Sequence, residues 1–288
     1  MALHVKLGVS TWLWTSPFKT EDAAGLFSKI KNFGYDKVEI AVEDPQLIDP
    51  KKIKKLLEEN ELEAIVCGAF GNTRDLTSDD KSLRKTGLDY IEACLDIAAE
   101  LDAGFFAGPM YSAVGKARMV SAAQKKIEWN RAVEGLRDVC GKAQSKGLQI
   151  GIESLNRFES DLINNVDDVL RLITEIDHPA ARICLDMFHM NIEEPNPEQA
   201  IIAAGEKLIH IQVSENYRGI PGTGSSNWKA YYNGLKKINY QGTVSIESFT
   251  PENKELAAAV CIWKNLAEDQ DSFAKEGNVF LQEWIAGR

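Results

Sequence analysis

Four oxygen-bearing side chains recur at the same place in four successive short apolar runs. Gly151-Ile152-Glu153, Cys184-Leu185-Asp186, His210-Ile211-Gln212 and Ser245-Ile246-Glu247 each close such a run on a polar group. If the chain brings these ends to one point, three carboxylates meet there, and like charges in a shared site are costly without compensation. A divalent cation supplies that compensation. A shell of Glu153, Asp186, Gln212 and Glu247 offers oxygen only, which suits Mg²⁺ or Mn²⁺ better than zinc. The competing explanation is that each acid caps a following helix or pairs with a Lys or Arg. His210 stands two residues before Gln212 and shares its strand face, one layer deeper. Histidine is the commoner metal ligand, so direct ligation by His210 stays open beside a core or supporting role.

The elements that would position these ends follow from the pattern of the whole chain. Strands are expected at residues 6–10, 37–41, 63–69, 104–107, 149–153, 181–186, 208–213 and 242–248. Amphipathic segments lie between them, among others at 20–33, 83–101, 121–146, 166–176 and 228–238. Alternating β and α units predict a parallel sheet with right-handed crossovers, and eight of them close into a (β/α)₈ barrel. An open doubly wound sheet is the second choice, disfavoured because no G-x-G-x-x-G follows the first strand. A further helix near 280–285 is expected to cap the barrel or meet a neighbour. Asn32-Phe33-Gly34 and Lys146-Gly147 read as helix ends, and Asp49-Pro50 as a helix start. No linker or low-complexity tract divides residues 1–288, so one domain is expected. In a barrel of this kind the loops after the strands carry the active site, and consecutive strands are neighbours. Glu153, Asp186, Gln212 and Glu247 would then converge.

More polar groups belong to the same rim. Glu159 follows Glu153 in the next loop, and His189 lies three residues beyond Asp186. Arg218 lies six beyond Gln212, ahead of the turn Gly219-Ile220-Pro221-Gly222-Thr223-Gly224. A lone Arg in a loop is ordinarily a solvated charge. Sharing a rim with three acids gives it a substrate or structural partner.

Composition narrows the function further. The net charge is −10 and no Lys/Arg-rich run occurs, which speaks against nucleic acid as a partner. Five scattered cysteines with no C-x-x-C pair indicate neither a zinc ribbon nor a disulfide framework, and fit a reducing cytoplasm. No apolar run is long enough to span a bilayer and no secretory signal pattern opens the chain, so no membrane partner is expected.

Four segments resemble the ketose 3-epimerases (D-tagatose and D-allulose 3-epimerase and relatives) of the xylose-isomerase-like barrel superfamily. They are 108–115, 151–159, 185–191, and Ser214-Glu215-Asn216 through Arg218 to Gly224, within a likeness that runs from Gly8 to about Phe249. The resemblance implies a metal held by Glu153, Asp186, the residue at 212 and Glu247, with Glu153 and Glu247 also the acid/base pair. It places Glu159, His189 and Arg218 at the substrate's first carbons. Trp14, Cys67 and Tyr111 complete the candidate substrate-binding set. The expected cofactor is Mn²⁺, with Mg²⁺ or Co²⁺ in its place. The expected partners are a small sugar and further copies of the chain, as a dimer or tetramer. The departure is Gln212, where the epimerases carry histidine and the related hydroxypyruvate isomerases carry glutamine in a similar His-Ile-Gln context. Trp12 and Trp14 also depart from the family's aromatic pattern after strand one.

The reaction this predicts removes a proton next to a ketone, stabilises the enediolate with a divalent metal, and returns a proton to the opposite face. The same groups could move the proton between adjacent carbons, as an aldose–ketose or hydroxypyruvate-type isomerase. They could also expel a β leaving group, as an inosose dehydratase or C-glycoside deglycosidase does. A non-catalytic sugar- or metal-binding barrel would have no use for both flanking glutamates. The apurinic-endonuclease branch needs a histidine-rich zinc site, and this chain has four histidines, two of them off the rim. No phosphate-binding Gly/Lys loop is present, so a free sugar is expected.

Overall fold

The computed structural model describes residues 2–288. Eight parallel strands close into a barrel in sequence order. They are β1 (Lys6–Ser10), β2 (Lys37–Val42), β3 (Glu63–Gly68), β4 (Phe105–Gly108), β5 (Gln149–Glu153), β6 (Ala181–Asp186), β7 (Leu208–Val213) and β8 (Thr243–Ile246). Each expected strand is present. The largest difference is at β8, which stops at Ile246, so Glu247 stands just past the ladder.

Each crossover carries a helix. These are α1 (Ala23–Asn32), α2 (Pro50–Glu59), α3 (Lys81–Glu100), α4 (Ala122–Ser145), α5 (Val166–Ile176), α6 (Met187–Glu193), α7 (Pro197–Ala204) and α8 (Trp228–Lys237); α9 (Lys254–Ala259) and α10 (Gln270–Ile285) follow β8. The Asp49-Pro50 start holds: Asp49 accepts from Lys52 N at 3.2 Å, with proline in the first turn. Gly34 follows α1 at φ +90°, a backbone that side chains rarely adopt.

The expected C-terminal helix is longer than the sequence indicated. Asp271 at its start receives the Trp14 indole N–H at 2.8 Å, and Ile285 O at its end receives Leu3 N–H at 2.8 Å. Tyr35 donates to Ala274 O between them at 2.7 Å. The helix therefore runs down the outside of the barrel beside β1 and α8 rather than across its mouth.

Strand alternation sorts the barrel's two faces. Val9, Val38, Ile40, Val66, Phe106, Ile150, Ile152, Ile183, Leu185, Ile211, Val213, Val244 and Ile246 are fully buried in the main hydrophobic core, which joins the strands to the helices. Each such side chain contributes about 1.5–3 kcal/mol by leaving water. The opposite parity fills the barrel, and several of its positions are small. A Cβ on Gly8 would meet Ser245 Oγ at 3.1 Å, and one on Gly151 would meet the Cβ atoms of Ala107 and Cys184, both at 3.3 Å. That economy leaves space for long polar side chains from the same face.

One irregularity sets the register of the site. Ile183 pairs with Leu208 but Cys184 pairs with His210, so Ile209 is an extra residue on β7. A bulge re-aims the residues that follow it. Here it brings Gln212 level with Asp186 on β6 and Ser245 on β8.

Candidate active site

Glu153 is the last residue of β5, Asp186 the last of β6, Gln212 the last but one of β7, and Glu247 follows β8. All four are buried. The acids are linked through shared partners. His189 Nε2 lies 3.6 Å from both Glu153 Oε1 and Asp186 Oδ2. Arg218 Nη1 lies 2.6 Å from Asp186 Oδ2 and 3.0 Å from Glu247 Oε2.

Asp186 combines two of the roles the sequence left open. Its Oδ1 accepts from Phe188 N at 2.9 Å and caps α6. Its Oδ2 is wholly buried with no donor aligned for a hydrogen bond, although the Arg218 nitrogen is close.

His189 sits in the first turn of α6. Its Nδ1 accepts from the Asn156 backbone N–H at 3.2 Å, so the proton of a neutral ring is on Nε2, aimed at Glu153 and Asp186. Burial lowers its pKa, against the pull of Asp186. Asn156 also donates to Glu159 Oε1 at 2.7 Å, which joins Glu159 to the same loop.

Arg218 owes its place to the loop after β7. Glu215 accepts from Gly222 N and Trp228 Nε1 with one oxygen and from Asn216 N and Ser226 N with the other. Burial pushes the Glu215 carboxyl up, but these bonds, led by Trp228, outweigh it and hold the group ionised. A Cβ on Gly224 would fall 2.7 Å from Glu215 Oε2 and 2.6 Å from Asn216 Oδ1, so the turn needs glycine to close. Arg218 adopts φ +64°, and its carbonyl accepts from Ser248 Oγ at 2.7 Å. Its guanidinium lies 4.1 Å over the Phe188 ring and 5.1 Å from that of Phe249. Burial opposes its charge, and Asp186 and Glu247 more than restore it.

Glu153 and Glu247 are both pushed well above the ordinary carboxylate range. Burial is the main cause for each. Asp186 adds to it at Glu153, and Arg218 opposes it at Glu247. Two interacting acids raised in this way share protons, so one can hold a proton while the other lacks it.

Gln212 is placed at the site but turned. Its amide nitrogen donates to Glu247 Oε1 at 2.8 Å and to Glu39 Oε1 at 2.9 Å. Its oxygen, the only atom able to ligate a cation, faces the Cys184 thiol at 3.5 Å. His210 is one layer deeper, as strand parity indicated, with Nε2 2.7 Å from Glu39 Oε2.

The three other expected substrate contacts, Trp14, Tyr111 and Cys67, each have protein neighbours of their own. Trp14 points its indole N–H to Asp271. Trp12 instead packs on Phe249, with ring centroids 5.5 Å apart, and donates to Glu43 Oε1 at 3.0 Å. The Tyr111 hydroxyl is fully buried and donates to Ile163 O at 3.1 Å, which ties two rim loops together. Cys67 lies inside the barrel beside Glu39 and His210, and burial, with Glu39 next, raises its thiol well above its usual value. Glu39 lies inside the apolar run of β2, where no local pattern marks it.

The donor set fits a divalent cation. Glu153, Asp186 and His189 offer ligand atoms within 4.8 Å of one another, and Asp186 Oδ2 still lacks a hydrogen bond. Three carboxylates against the single Arg218 charge leave the cluster negative. A second group with metal-ligand spacing, Glu39, Cys67 and His210, lies deeper. Among the described residues no helix is long and apolar enough to cross a membrane.

Comparison with known proteins agrees with this geometry. The xylose isomerase-like TIM barrel model matches residues 27–266. The L-ribulose 3-epimerase of Methylomonas sp. (strain DH-1) is 30% identical over 282 residues, 97% of this chain and 98% of that one. The ketose 3-epimerase of Arthrobacter globiformis is 30% identical over 97% of this chain and 96% of its own length. The crystal structure of D-allulose 3-epimerase from Methylomonas sp. in complex with D-allulose superposes with a TM-score of 0.91 at 28% identity, covering 98% of this chain and 99% of that one. With the barrel, the carboxylates at its strand ends and these matches in hand, the chain belongs to the xylose-isomerase-like TIM-barrel family and, within it, to the ketose 3-epimerases.

Proposed function

We propose that this chain inverts C3 of a free ketose, with Glu153 and Glu247 as the acid/base pair beside a divalent cation. The observation that carries the reading is the pair itself: two buried glutamates with raised pKa values, set on β5 and beyond β8, with Asp186 between them in strand order. The matched relatives, an L-ribulose 3-epimerase and a ketose 3-epimerase, support the same reaction.

Glu153, Asp186, Gln212 and Glu247 would hold the cation, Gln212 by turning its carbonyl away from Cys184. Mn²⁺ is the proposed ion, with Mg²⁺ or Co²⁺ able to replace it, because the shell is oxygen-rich. When bound, such an ion supplies a Lewis acid for the substrate's ketone oxygen and its neighbour. The ionised member of the glutamate pair takes the C3 proton. The C–H electrons enter a C2–C3 double bond, and the ketone oxygen takes up the negative charge as an enediolate. The protonated glutamate then delivers its proton to the other face of C3, and the ketone re-forms. The roles exchange in the reverse direction. The His189 Nε2–H and the Arg218 guanidinium point at this cluster and suit the developing oxyanion. Phe188, Phe249 and Trp12 keep the region around Arg218 apolar.

The test is incubation of the Mn²⁺-loaded chain with free ketoses in D₂O. Deuterium at C3 with inversion is expected, abolished by Glu153→Gln or Glu247→Gln and reversibly by chelation. Deuterium at C1 would favour an aldose–ketose isomerase, and loss of a β substituent a lyase. Full turnover after complete metal removal would overturn the reading. We also propose a homo-oligomer: Met119, Phe158 and Trp263 are large apolar side chains left in solvent, and sedimentation of the purified chain tests it.

A further inference from the structure

One carboxylate beneath the candidate ligands takes no part in the proposed chemistry. Glu39 is fully buried in the middle of β2. Both of its oxygens are engaged from β7, across the barrel. Gln212 Nε2 donates to Oε1 at 2.9 Å, and His210 Nε2 lies 2.7 Å from Oε2. A glutamate in such a place is costly unless its hydrogen bonds serve it well.

The chemistry of the partner suggests what Glu39 does. An amide has two unlike ends: its nitrogen donates and has no lone pair for a metal, while its oxygen accepts and can ligate. A carboxylate facing the amide therefore selects the nitrogen end. The Gln212 nitrogen bridges two carboxylates, but they are not equivalent. Glu247 stands at the rim, where a cation would compete for its oxygen. Glu39 lies below, and the His210 contact keeps its second oxygen from rising into the shell. The bond to Glu39 is thus the one that persists when Glu247 turns to a cation and Gln212 Oε1 leaves the Cys184 thiol, which it faces at 3.5 Å.

We infer that Glu39 is a positioning residue of the metal site, which holds the Gln212 amide nitrogen from below and so reserves Gln212 Oε1 for the cation. The inference rests on the proposed ligand set of Glu153, Asp186, Gln212 and Glu247. It also gives glutamine at 212 a reason of its own. Its NH₂ group serves two carboxylates at once, whereas a neutral imidazole has one N–H.

The experiment is a Mn²⁺ titration of the full chain after chelator stripping, by calorimetry, for wild type, Glu39→Gln, Gln212→Ala and the double variant. Thermal unfolding in chelator reads the fold separately. Glu39→Gln presents an amide that can meet Gln212 with either end. It is expected to weaken Mn²⁺ binding on the order of 10–100-fold, as loss of a group that orients a ligand does. In the Gln212→Ala background the same change should have little effect, because Glu39 acts through Gln212. A purely structural Glu39 would lower the unfolding temperature and leave the affinity of the folded chain alone. Wild-type affinity in folded Glu39→Gln, or equal losses in both backgrounds, overturns the inference. If Glu39→Gln does not fold, Glu39→Asp is titrated instead; it is one methylene too short for the 2.9 Å bond, and undiminished affinity there overturns the inference equally. A wild-type chain that takes up no Mn²⁺ overturns the proposed metal function and this inference with it. Uptake by wild type and by the Glu39 variants alike overturns only the latter.

Discussion

Arg218 Nη1 stands 2.6 Å from Asp186 Oδ2, so the loop after β7 supplies the counter-charge for the end of β6. The same nitrogen reaches Glu247. Arg218→Ala would leave both carboxylates buried without that partner, and breaking a buried pair from one side costs about 3–5 kcal/mol. The variant is expected to lose stability of that order in chelator, by denaturant unfolding. Mn²⁺ should bind it as tightly as wild type or more tightly, since a competing cation is gone. Turnover should fall by roughly 10²–10³, the scale of a lost oxyanion donor. Loss of the metal in Arg218→Ala would instead make the arginine a support of the metal shell.

The raised acids predict how the metal-free chain responds to pH. Burial, reinforced by Asp186, raises Glu153; burial, opposed by Arg218, raises Glu247. A group whose folded pKa is raised gives stability that is full below its unfolded value and is lost as pH climbs through the folded value. The glutamates therefore favour the folded chain below the ordinary glutamate value of 4.5 and weaken it as pH rises past that point. His189 works the other way: burial depresses its pKa, so its contribution is lost as pH falls below 6.5. The stripped chain should thus lose stability as pH climbs through the raised values of the two glutamates, and above 6.5 no change at His189 offsets that loss. Glu153→Gln should flatten that decline. Mn²⁺ compensates the ionised acids, so the Tm gain it gives should increase with pH. A gain that is level across this range would contradict the prediction.

The two tryptophans after β1 should separate by phenotype. Trp12 packs on Phe249, which adjoins Arg218, whereas Trp14 is tied to α10 through Asp271. Trp12→Ala is expected to raise KM roughly tenfold, equivalent to about 1.4 kcal/mol. Trp14→Phe should leave kcat and KM alone and lower stability by about 1 kcal/mol, the net value of one hydrogen bond. Michaelis curves and urea unfolding of both variants decide it, and a KM effect confined to Trp14 would reverse the assignment.

The barrel was legible because parallel strands buried on both faces leave short apolar runs, and polar residues ending those runs stand out. Glu153, Asp186 and Gln212 were visible for that reason, and Glu247 by the same pattern although its strand ends one residue earlier. Glu39 was not legible. It sits inside an apolar strand, and its partners His210 and Gln212 are 171 and 173 residues away, so no local spacing marks it. The directions of Trp12 and Trp14 were not legible either, because Thr11–Leu13 form a 3₁₀ turn capped by Trp14. Residues two apart share a face in a strand but not in a turn of three residues. The Tyr111 hydroxyl was likewise settled by Ile163, 52 residues on.

Strand seven offers the sharpest test of where the metal sits. Gln212 presents an amide oxygen, and a histidine there would present a ring nitrogen. Nitrogen donors favour the later divalent ions over Mg²⁺ and Mn²⁺. Gln212→His is therefore expected to keep a metal but to shift preference toward Co²⁺, Ni²⁺ or Zn²⁺ in competition titrations. It also replaces two N–H donors by one, so either Glu39 or Glu247 loses its partner at 212, and the stripped chain should lose about 1–3 kcal/mol. Gln212→Ala removes the oxygen as well, and should lower Mn²⁺ affinity markedly. His210→Ala acts a layer below. It opens a cavity beside Phe105 and leaves Glu39 Oε2 without its partner, so its main effect should be on stability, with the metal retained. The opposite outcome is equally specific. If His210→Ala strips the metal while Gln212→Ala keeps it, the cation belongs to the deeper group of Glu39, Cys67 and His210. A thiol and an imidazole in that group would then make zinc the expected ion rather than manganese.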